Sequence, residues 1–68
     1  MTKEELLNQR INVQYNGILY TAKITGFLFN KSPILEFDKY SLAVGYNKLV
    51  NCIRDNIPYE VNIQLIQF

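Results

Sequence analysis

Apolar and polar residues alternate along much of the chain, and this alternation predicts a protein built mainly of β-strands. Apolar side chains occupy positions 11, 13 and 15 before Asn16-Gly17, and positions 18, 20, 22 and 24 after it. A period of two is typical of half-buried strands, and Asn-Gly between two such runs favours a two-residue type I′ turn. The pattern therefore predicts a β-hairpin whose paired apolar residues share one face. The predicted pairs are Tyr15 with Ile18, Val13 with Tyr20, and Ile11 with Ala22.

The alternation continues downstream and predicts three more strands. The second strand of the hairpin runs on to Phe29, and Gly26 inside it indicates a bulge or a sharp bend. The remaining predicted elements are a turn over 30–33, a third strand over 34–37, a tight turn at Asp38-Lys39, a fourth strand over 40–44 and a long final strand over 59–65. Five such strands predict a small barrel, because a closed barrel removes exposed sheet edges.

Two short helices complete the predicted fold. Residues 2–5, TKEE, have the S/T-x-x-E form of a capping box and predict a helix of about two turns that ends near Asn8 or Gln9. Residues 45–56 are ambiguous, because positions 46, 49, 50 and 53 have helical spacing while 49, 51 and 53 also fit a strand. We favour a helix there. The predicted fold class is mainly β (α+β), in one domain spanning residues 1–68.

The stretch VQYNGILYTAKITGF at residues 13–27 resembles the first hairpin of SH3-like small barrels. Sm-like RNA-binding proteins have a short N-terminal helix, an Asn-Gly hairpin and a bent second strand. Tudor-type domains carry a similar Tyr-x-Gly-x-x-Tyr-x-Ala stretch, matched here by Tyr15, Gly17, Tyr20 and Ala22. The resemblance covers residues 10–37 and implies an SH3-like five-stranded barrel. It implies little about RNA binding, because Sm-like proteins favour glycine at position 22 and the bacterial members carry a Tyr-Lys-His signature that needs a histidine.

The composition fits one small domain and argues against several classes of protein. Of the 68 residues 49% are apolar, and the formal net charge is +1, unlike a disordered chain, a strongly basic nucleic-acid binder or an acidic DNA mimic. The first residues lack the pattern of a signal peptide, and no run of about 18 apolar residues predicts a membrane span. The single Cys52 predicts a reducing, cytoplasmic setting. Frequent residues with AT-rich codons predict an AT-rich source, such as a low-GC bacterium or its phage.

The residue types present do not indicate catalysis. The chain has no histidine, which is the side chain most often used for proton transfer. With one cysteine and no histidine an ordinary zinc site cannot form, and we predict no metal and no other cofactor. Glu36 and Asp38 would share a strand face, as catalytic carboxylates can, and Cys52 is a potential nucleophile. A polar turn and a buried structural thiol explain these residues more simply, so we predict that the chain is not an enzyme.

Two sets of residues favour a partner protein. One set, close together in sequence, comprises Phe37, Asp38, Tyr40 and Tyr46. Three rings and a carboxylate could form a cage for a cationic side chain, or the rings could belong to the core or rim of the barrel. The other set, predicted to point outward, comprises Leu19, Ile66 and Phe68. Exposed apolar groups on strands favour self-association or docking, unless the N-terminal helix covers them. The first hypothesis is therefore a non-catalytic protein-interaction module, such as an inhibitor or accessory factor from a phage or another mobile element.

A second hypothesis is a small-barrel protein that binds RNA or DNA, as an oligomer. It depends on five basic residues outside the N-terminal region: Lys23, Lys31, Lys39, Lys48 and Arg54. If they line one side of the barrel near exposed tyrosines, they form a basic groove with stacking platforms for bases. The alternative is that they are separate solvated surface residues.

Overall fold

Five strands and two short helices make up residues 1–65, which are the residues that the computed structural model describes. In chain order they are α1 (Lys3–Leu7), β1 (Arg10–Tyr15), β2 (Ile18–Leu28), β3 (Ser32–Phe37), β4 (Tyr40–Ala43), α2 (Tyr46–Asp55) and β5 (Tyr59–Val61). The strands form one sheet in the order β4-β3-β2-β1-β5, which curls into a half-barrel. The predicted fold class is confirmed, including both helices.

The first hairpin has the predicted register and turn. β1 pairs antiparallel with β2 so that Tyr15 faces Ile18 across the turn. Asn16 has φ 52° and Gly17 has φ 76°, as the predicted type I′ turn requires. The other predicted pairs are also present. Ile18 is the exception to the shared buried face, because its side chain, directly after the turn, is exposed.

Gly17→Val is expected to destabilise the protein by about 1–2 kcal/mol, because a β-branched residue resists positive φ. The measurement is the free energy of unfolding in urea. Gly26→Val is the matched control, because Gly26 lacks left-handed φ and nothing lies within 4 Å of an added Cβ. An equal loss in the two variants would contradict the strain argument.

A bulge in β2 keeps two of its apolar side chains, Ile24 and Phe27, on the inner face of the sheet. The register with β3 shifts between Ile24 and Gly26, as the glycine predicted. Ile24 faces Leu35 before the bulge, and Phe27 faces Pro33 after it. The extra residue changes which positions point inward, so Ile24 and Phe27 both reach the core although they are three positions apart.

The turn predicted over residues 30–33 is present, but its bounds differ. Residues 29–31 form it, because β2 ends at Leu28 and β3 begins at Ser32. Pro33 is buried within β3, and its carbonyl accepts a hydrogen bond from the Val44 N–H (2.8 Å). Proline is compatible with this position because it is near the start of its strand, just beyond the end of the neighbouring β4.

The predicted long final strand is wrong beyond Val61. β5 pairs in parallel with β1, and Val61 faces Tyr15, the last residue of β1. Beyond this point β1 enters its turn, so residues 62–65 have no further residues of β1 to pair with. Ile63, which the alternation of the predicted strand would place on the same face as Val61, is 59% exposed.

The helices close the open side of the curled sheet. The predicted capping box of α1 is present, since the Glu5 N–H donates to the Thr2 hydroxyl (3.2 Å) and the Thr2 N–H donates to the Glu5 carboxylate (3.1 Å). α2 resolves the ambiguity at residues 45–56 in favour of a helix. Leu49 and Cys52, three positions apart, are its buried residues. Together with Leu6 of α1 they complete the core formed by the inner face of the sheet.

Candidate partner-binding surface

The connection between β2 and β3 is a tight turn that begins with a phenylalanine. The Lys31 N–H donates to the Leu28 carbonyl (2.9 Å). Phe29 has φ 51° and Asn30 has φ 58°. Positive φ at both central residues is the signature of a type I′ turn, whose twist matches that of the strands it joins. We call residues Leu28–Lys31 the β2–β3 tip.

Phenylalanine is an unfavourable residue for this backbone conformation. Three turns of the sheet begin with a residue of nearly the same φ, namely Asn16 (52°), Phe29 (51°) and Asp38 (50°). Asn and Asp tolerate this conformation because their short polar side chains hydrogen-bond locally, whereas it costs other residues about 1–2 kcal/mol. Phe29 is also 86% exposed, so burial of its ring does not offset the strain.

A strained and exposed aromatic residue favours contact with a partner. Strained backbone conformations concentrate at functional sites, and aromatic side chains are enriched among the residues that dominate binding energy at interfaces. Leu28, next to Phe29, is 44% exposed. The tip therefore presents two adjacent apolar side chains to solvent.

The N-terminal helix supports the tip and adds positive charge beside it. The Lys3 ammonium donates to the Asn30 carbonyl, and the same ammonium lies 5.7 Å from the centroid of the Phe27 ring. Lys31 is exposed at the end of the tip. An apolar pocket with acidic residues around its rim would complement this arrangement of one ring and two ammonium groups.

Three of the four residues of the predicted aromatic cage lie together, at the end of β3 opposite to the tip. The Phe37 ring centroid lies 5.6 Å from that of Tyr40 and 5.1 Å from that of Tyr20. Tyr15 joins the same cluster, 5.0 Å from Tyr40. Phe37 is 2% exposed, so its ring is part of the core and not the wall of an open cage.

Asp38 begins the turn that follows this aromatic cluster. Desolvation raises the pKa of the Tyr20 hydroxyl, and the nearby Tyr40 and the Asp38 carboxylate raise it further. The cluster therefore disfavours a further negative charge. It contains Tyr15 and Tyr20, which the sequence pattern predicts only as members of the first hairpin.

Tyr46, the fourth predicted cage residue, lies at the other end of β4. It is the first residue of α2, and its hydroxyl donates to the Met1 carbonyl. Among residues 1–65 the ring contacts involve Tyr15, Tyr20, Phe37 and Tyr40, and not Tyr46. Tyr46 therefore belongs to the end of the molecule that carries the N-terminus.

The predicted outward apolar set is only partly described. Leu19 is 56% exposed on the outer face of β2, where it faces Gln14 of β1. Ile66 and Phe68 lie outside the described residues. Their predicted role in self-association therefore stays a prediction.

The structure does not gather the five basic residues into one patch. Lys31 and Lys39 lie at opposite ends of β3, which at about 3.3 Å per residue separates them by roughly 20 Å. Lys23 faces Glu36 on the outer side of the sheet. The Lys48 ammonium lies 4.9 Å from the Tyr59 ring centroid. Arg54, also on α2, forms an exposed ion pair with its neighbour Asp55 (3.3 Å).

Residues 62–65, which follow β5, lie against the end of the sheet that holds the aromatic cluster. The Leu65 N–H donates to the Tyr15 hydroxyl (3.0 Å), and Leu65 packs partly buried against the core. A cavity of about 500 Å³ lies between this segment and the first turn. Its polar lining residues are Gln14, Asn16, Glu60, Asn62 and Gln64.

Tyr15→Phe is expected to destabilise the protein by about 1 kcal/mol, because it removes the acceptor of the Leu65 N–H and leaves the ring in place. The measurement is the urea midpoint. Tyr20→Phe is the control, because it removes a hydroxyl from the same aromatic cluster without deleting that hydrogen bond. Equal urea midpoints for the two variants would contradict a stabilising role of the Tyr15 hydroxyl.

A second concave surface lies between the two edges of the sheet. We call it the β4–β5 groove. It has a volume of about 230 Å³, and its apolar walls include Leu42, Val44, Tyr59, Val61 and Ile63. β4 and β5 are the first and last strands in the sheet order, so neither has a strand neighbour on this side within residues 1–65.

Comparison with protein-family models, curated proteins and solved structures finds no match to this chain. The resemblance to SH3-like barrels therefore stays a prediction, while the curled five-stranded sheet is shown. Within residues 1–65, neither helix has the length and apolar character needed to cross a membrane. In the same part of the chain, no three metal-ligating side chains of the Cys, Asp or Glu type are grouped around a common point.

Sequence reasoning missed Phe29 as a candidate because the apolar alternation assigned it to the end of a strand. The structure ends β2 one residue earlier, at Leu28, and begins β3 at Ser32, so Phe29 lies in the connection. The sequence carries no local signal for this shift, because Pro33, Ile34 and Leu35 are three apolar residues in a row.

Proposed function

We propose that this chain is a non-catalytic protein-interaction module that contacts its partner through the β2–β3 tip. The observation that supports this proposal is Phe29, which combines a strained backbone with an almost fully exposed ring. Both properties disfavour phenylalanine in an isolated molecule. Both are accounted for if the ring enters a pocket of a partner, where binding energy exceeds the cost of presenting it.

We propose that this module acts in the cytoplasm and is an inhibitor or accessory factor from a phage or another mobile element. Cys52 is buried and free, which suits a reducing compartment. The small size and the near-neutral net charge of +1 suit a protein that acts by occupying a site on another protein.

Photo-crosslinking tests the proposed role of the tip. Phe29 is replaced by p-benzoylphenylalanine, which retains an aromatic ring. The variant is irradiated in cells of the organism from which the chain comes. Ile57 is the control position, since it is apolar and 51% exposed but follows α2. We expect a discrete adduct from position 29 and none from position 57. Equal adducts from both positions, or none from position 29, would overturn the proposal.

Nucleic-acid binding is the alternative function, and it can be tested directly with the same protein. Fluorescence anisotropy with labelled single-stranded RNA, single-stranded DNA and duplex DNA is measured at about 50 and 200 mM salt, because phosphate contacts weaken steeply over that range. We expect no saturable binding. If salt-sensitive binding is found and Phe29→Asn leaves it unchanged, nucleic-acid binding would replace protein interaction as the proposed function.

A further inference from the structure

The chain carries both an exposed apolar projection and an apolar groove. The projection is the β2–β3 tip, with Phe29 86% and Leu28 44% exposed. The β4–β5 groove lies between two sheet edges and has a volume of about 230 Å³. We propose that the tip of one molecule docks in the β4–β5 groove of a second copy of the same chain. This inference rests on the proposed function, because it names the partner of the same tip.

One pair of charged groups at the two surfaces is complementary, whereas Lys48 of the groove has the same charge as Lys3 and Lys31 at the tip. Lys31 is exposed on the tip, and Glu60 lines the groove from an exposed position. Within residues 1–65 neither side chain has an ion-pair partner, since the ion pair found there joins Arg54 and Asp55. Docking of the tip would place an unpaired ammonium near an unpaired carboxylate. Such a pair at the rim of an interface sets orientation more than affinity.

Lys48 provides a second complementary feature inside the groove. Its ammonium lies 4.9 Å from the centroid of the Tyr59 ring, so the cation is already held against an aromatic face. An incoming Phe29 ring would offer the same ammonium a second aromatic face. The groove therefore suits an aromatic side chain better than an aliphatic one.

The net charge and the size of the chain also favour a second copy as the occupant. A formal net charge of +1 gives little repulsion between copies. A domain of 68 residues has a thin core, and association is one of the ways in which such small domains are stabilised. Because the tip and the groove are different surfaces, the contact is heterologous, and each dimer retains one free tip and one free groove. Association therefore continues to larger rings or filaments as the concentration rises.

Sedimentation velocity between about 10 μM and 1 mM tests the inference, since this range covers weak homotypic affinities. We expect the wild-type sedimentation coefficient to increase with concentration. Phe29→Asn removes the projection and is expected to weaken association by at least about 30-fold. Ala43→Arg obstructs the groove from an exposed position, and Ile63→Arg is a second groove variant at another exposed position. A monomeric wild-type protein over the whole range overturns the inference.

Mixing the variants provides the decisive measurement. Phe29→Asn retains its groove, and Ala43→Arg retains its tip, so each is expected to be monomeric alone while the mixture forms a complex of two chains and nothing larger. A mixture that stays monomeric, or a variant that associates like the wild type, contradicts the inference.

Charge reversal provides an independent measurement. Lys31→Glu and Glu60→Lys are each expected to weaken association about two- to five-fold, and the double variant is expected to restore it. A double variant no stronger than the single ones contradicts the proposed pairing of the two groups.

The outcomes separate this inference from the proposed function. If position 29 crosslinks only to another protein and the wild-type chain remains monomeric, the inference fails and the proposed function stands. If position 29 crosslinks to nothing while the chain still associates through other surfaces, both fail. Crosslinks from position 29 to the groove segments of a second copy support both.

Discussion

Leu49→Ala is expected to destabilise the protein by about 2–5 kcal/mol, the usual cost of the cavity that such a truncation leaves in a core. Leu49 has 0% exposure and is one of the two buried residues of α2. A domain of 68 residues has a total stability of about 3–10 kcal/mol, so this single change removes a large part of it. The measurement is urea unfolding followed by circular dichroism at the helical band and by tyrosine fluorescence.

Asn51→Ala is the matched control for this prediction. Asn51 is exposed on the same helix, and alanine is the better helix former, so its stability should change by less than about 0.5 kcal/mol. A loss below about 1 kcal/mol for Leu49→Ala would contradict the placement of α2 against the core. Loss of the helical signal alone, with the tyrosine signal unchanged, would show that the sheet folds without the helix.

The helix α2 illustrates what local pattern alone leaves undecided. Positions 49 and 53 fit both a helix and a strand, and only the tertiary position of the segment distinguishes them. The segment connects β4 to β5, which pairs in parallel with β1 at the far edge of the sheet. A connection that crosses the open side of the curled sheet can bury one face, and a helix with Leu49 and Cys52 three positions apart provides that face.

The first hairpin was predictable because two independent local signals agree. Asn16-Gly17 specifies the turn, and the alternation on each side specifies the register. The final strand lacks such a second signal. Its alternation continues past Val61, but pairing depends on the length of β1, which ends at Tyr15. The alternation within β5 therefore cannot indicate where its neighbour β1 ends.

The candidate site was only partly predictable for a related reason. Phe37 and Tyr40 are neighbours because a two-residue turn pairs them across β3 and β4, which their spacing in sequence indicates. Tyr46 follows Tyr40 in the sequence, yet the intervening strand β4 places it at the other end of the sheet. The cluster instead gains Tyr15 and Tyr20 from the first hairpin. Proximity along the chain predicts contact within a hairpin and not beyond it.

Phe29→Asn is expected to raise the free energy of unfolding by about 0.5–1 kcal/mol and to weaken partner binding by at least about 30-fold. Stability rises because asparagine tolerates the left-handed conformation (φ 51°), as it does at the equivalent position of the first turn. Little burial is lost, because the phenylalanine ring is 86% exposed. Binding falls because the ring is the proposed anchor. Residues selected for function often cost stability in this way.

The matched control is Asp38→Phe, which places a phenylalanine at the corresponding position of the β3–β4 turn, where φ is 50°. This variant is expected to lose about 1 kcal/mol of stability, because phenylalanine resists the left-handed conformation, and to bind the partner with unchanged affinity. Urea unfolding and a binding titration of both variants against the captured partner, or against a second copy of the chain, provide the comparison. If Phe29→Asn weakened both folding and binding, Phe29 would have a structural role. The tip would then no longer be supported as the interaction surface. If Phe29→Asn stabilised the fold and left binding unchanged, the partner would contact the protein elsewhere. The strain at Phe29 would then have no functional explanation.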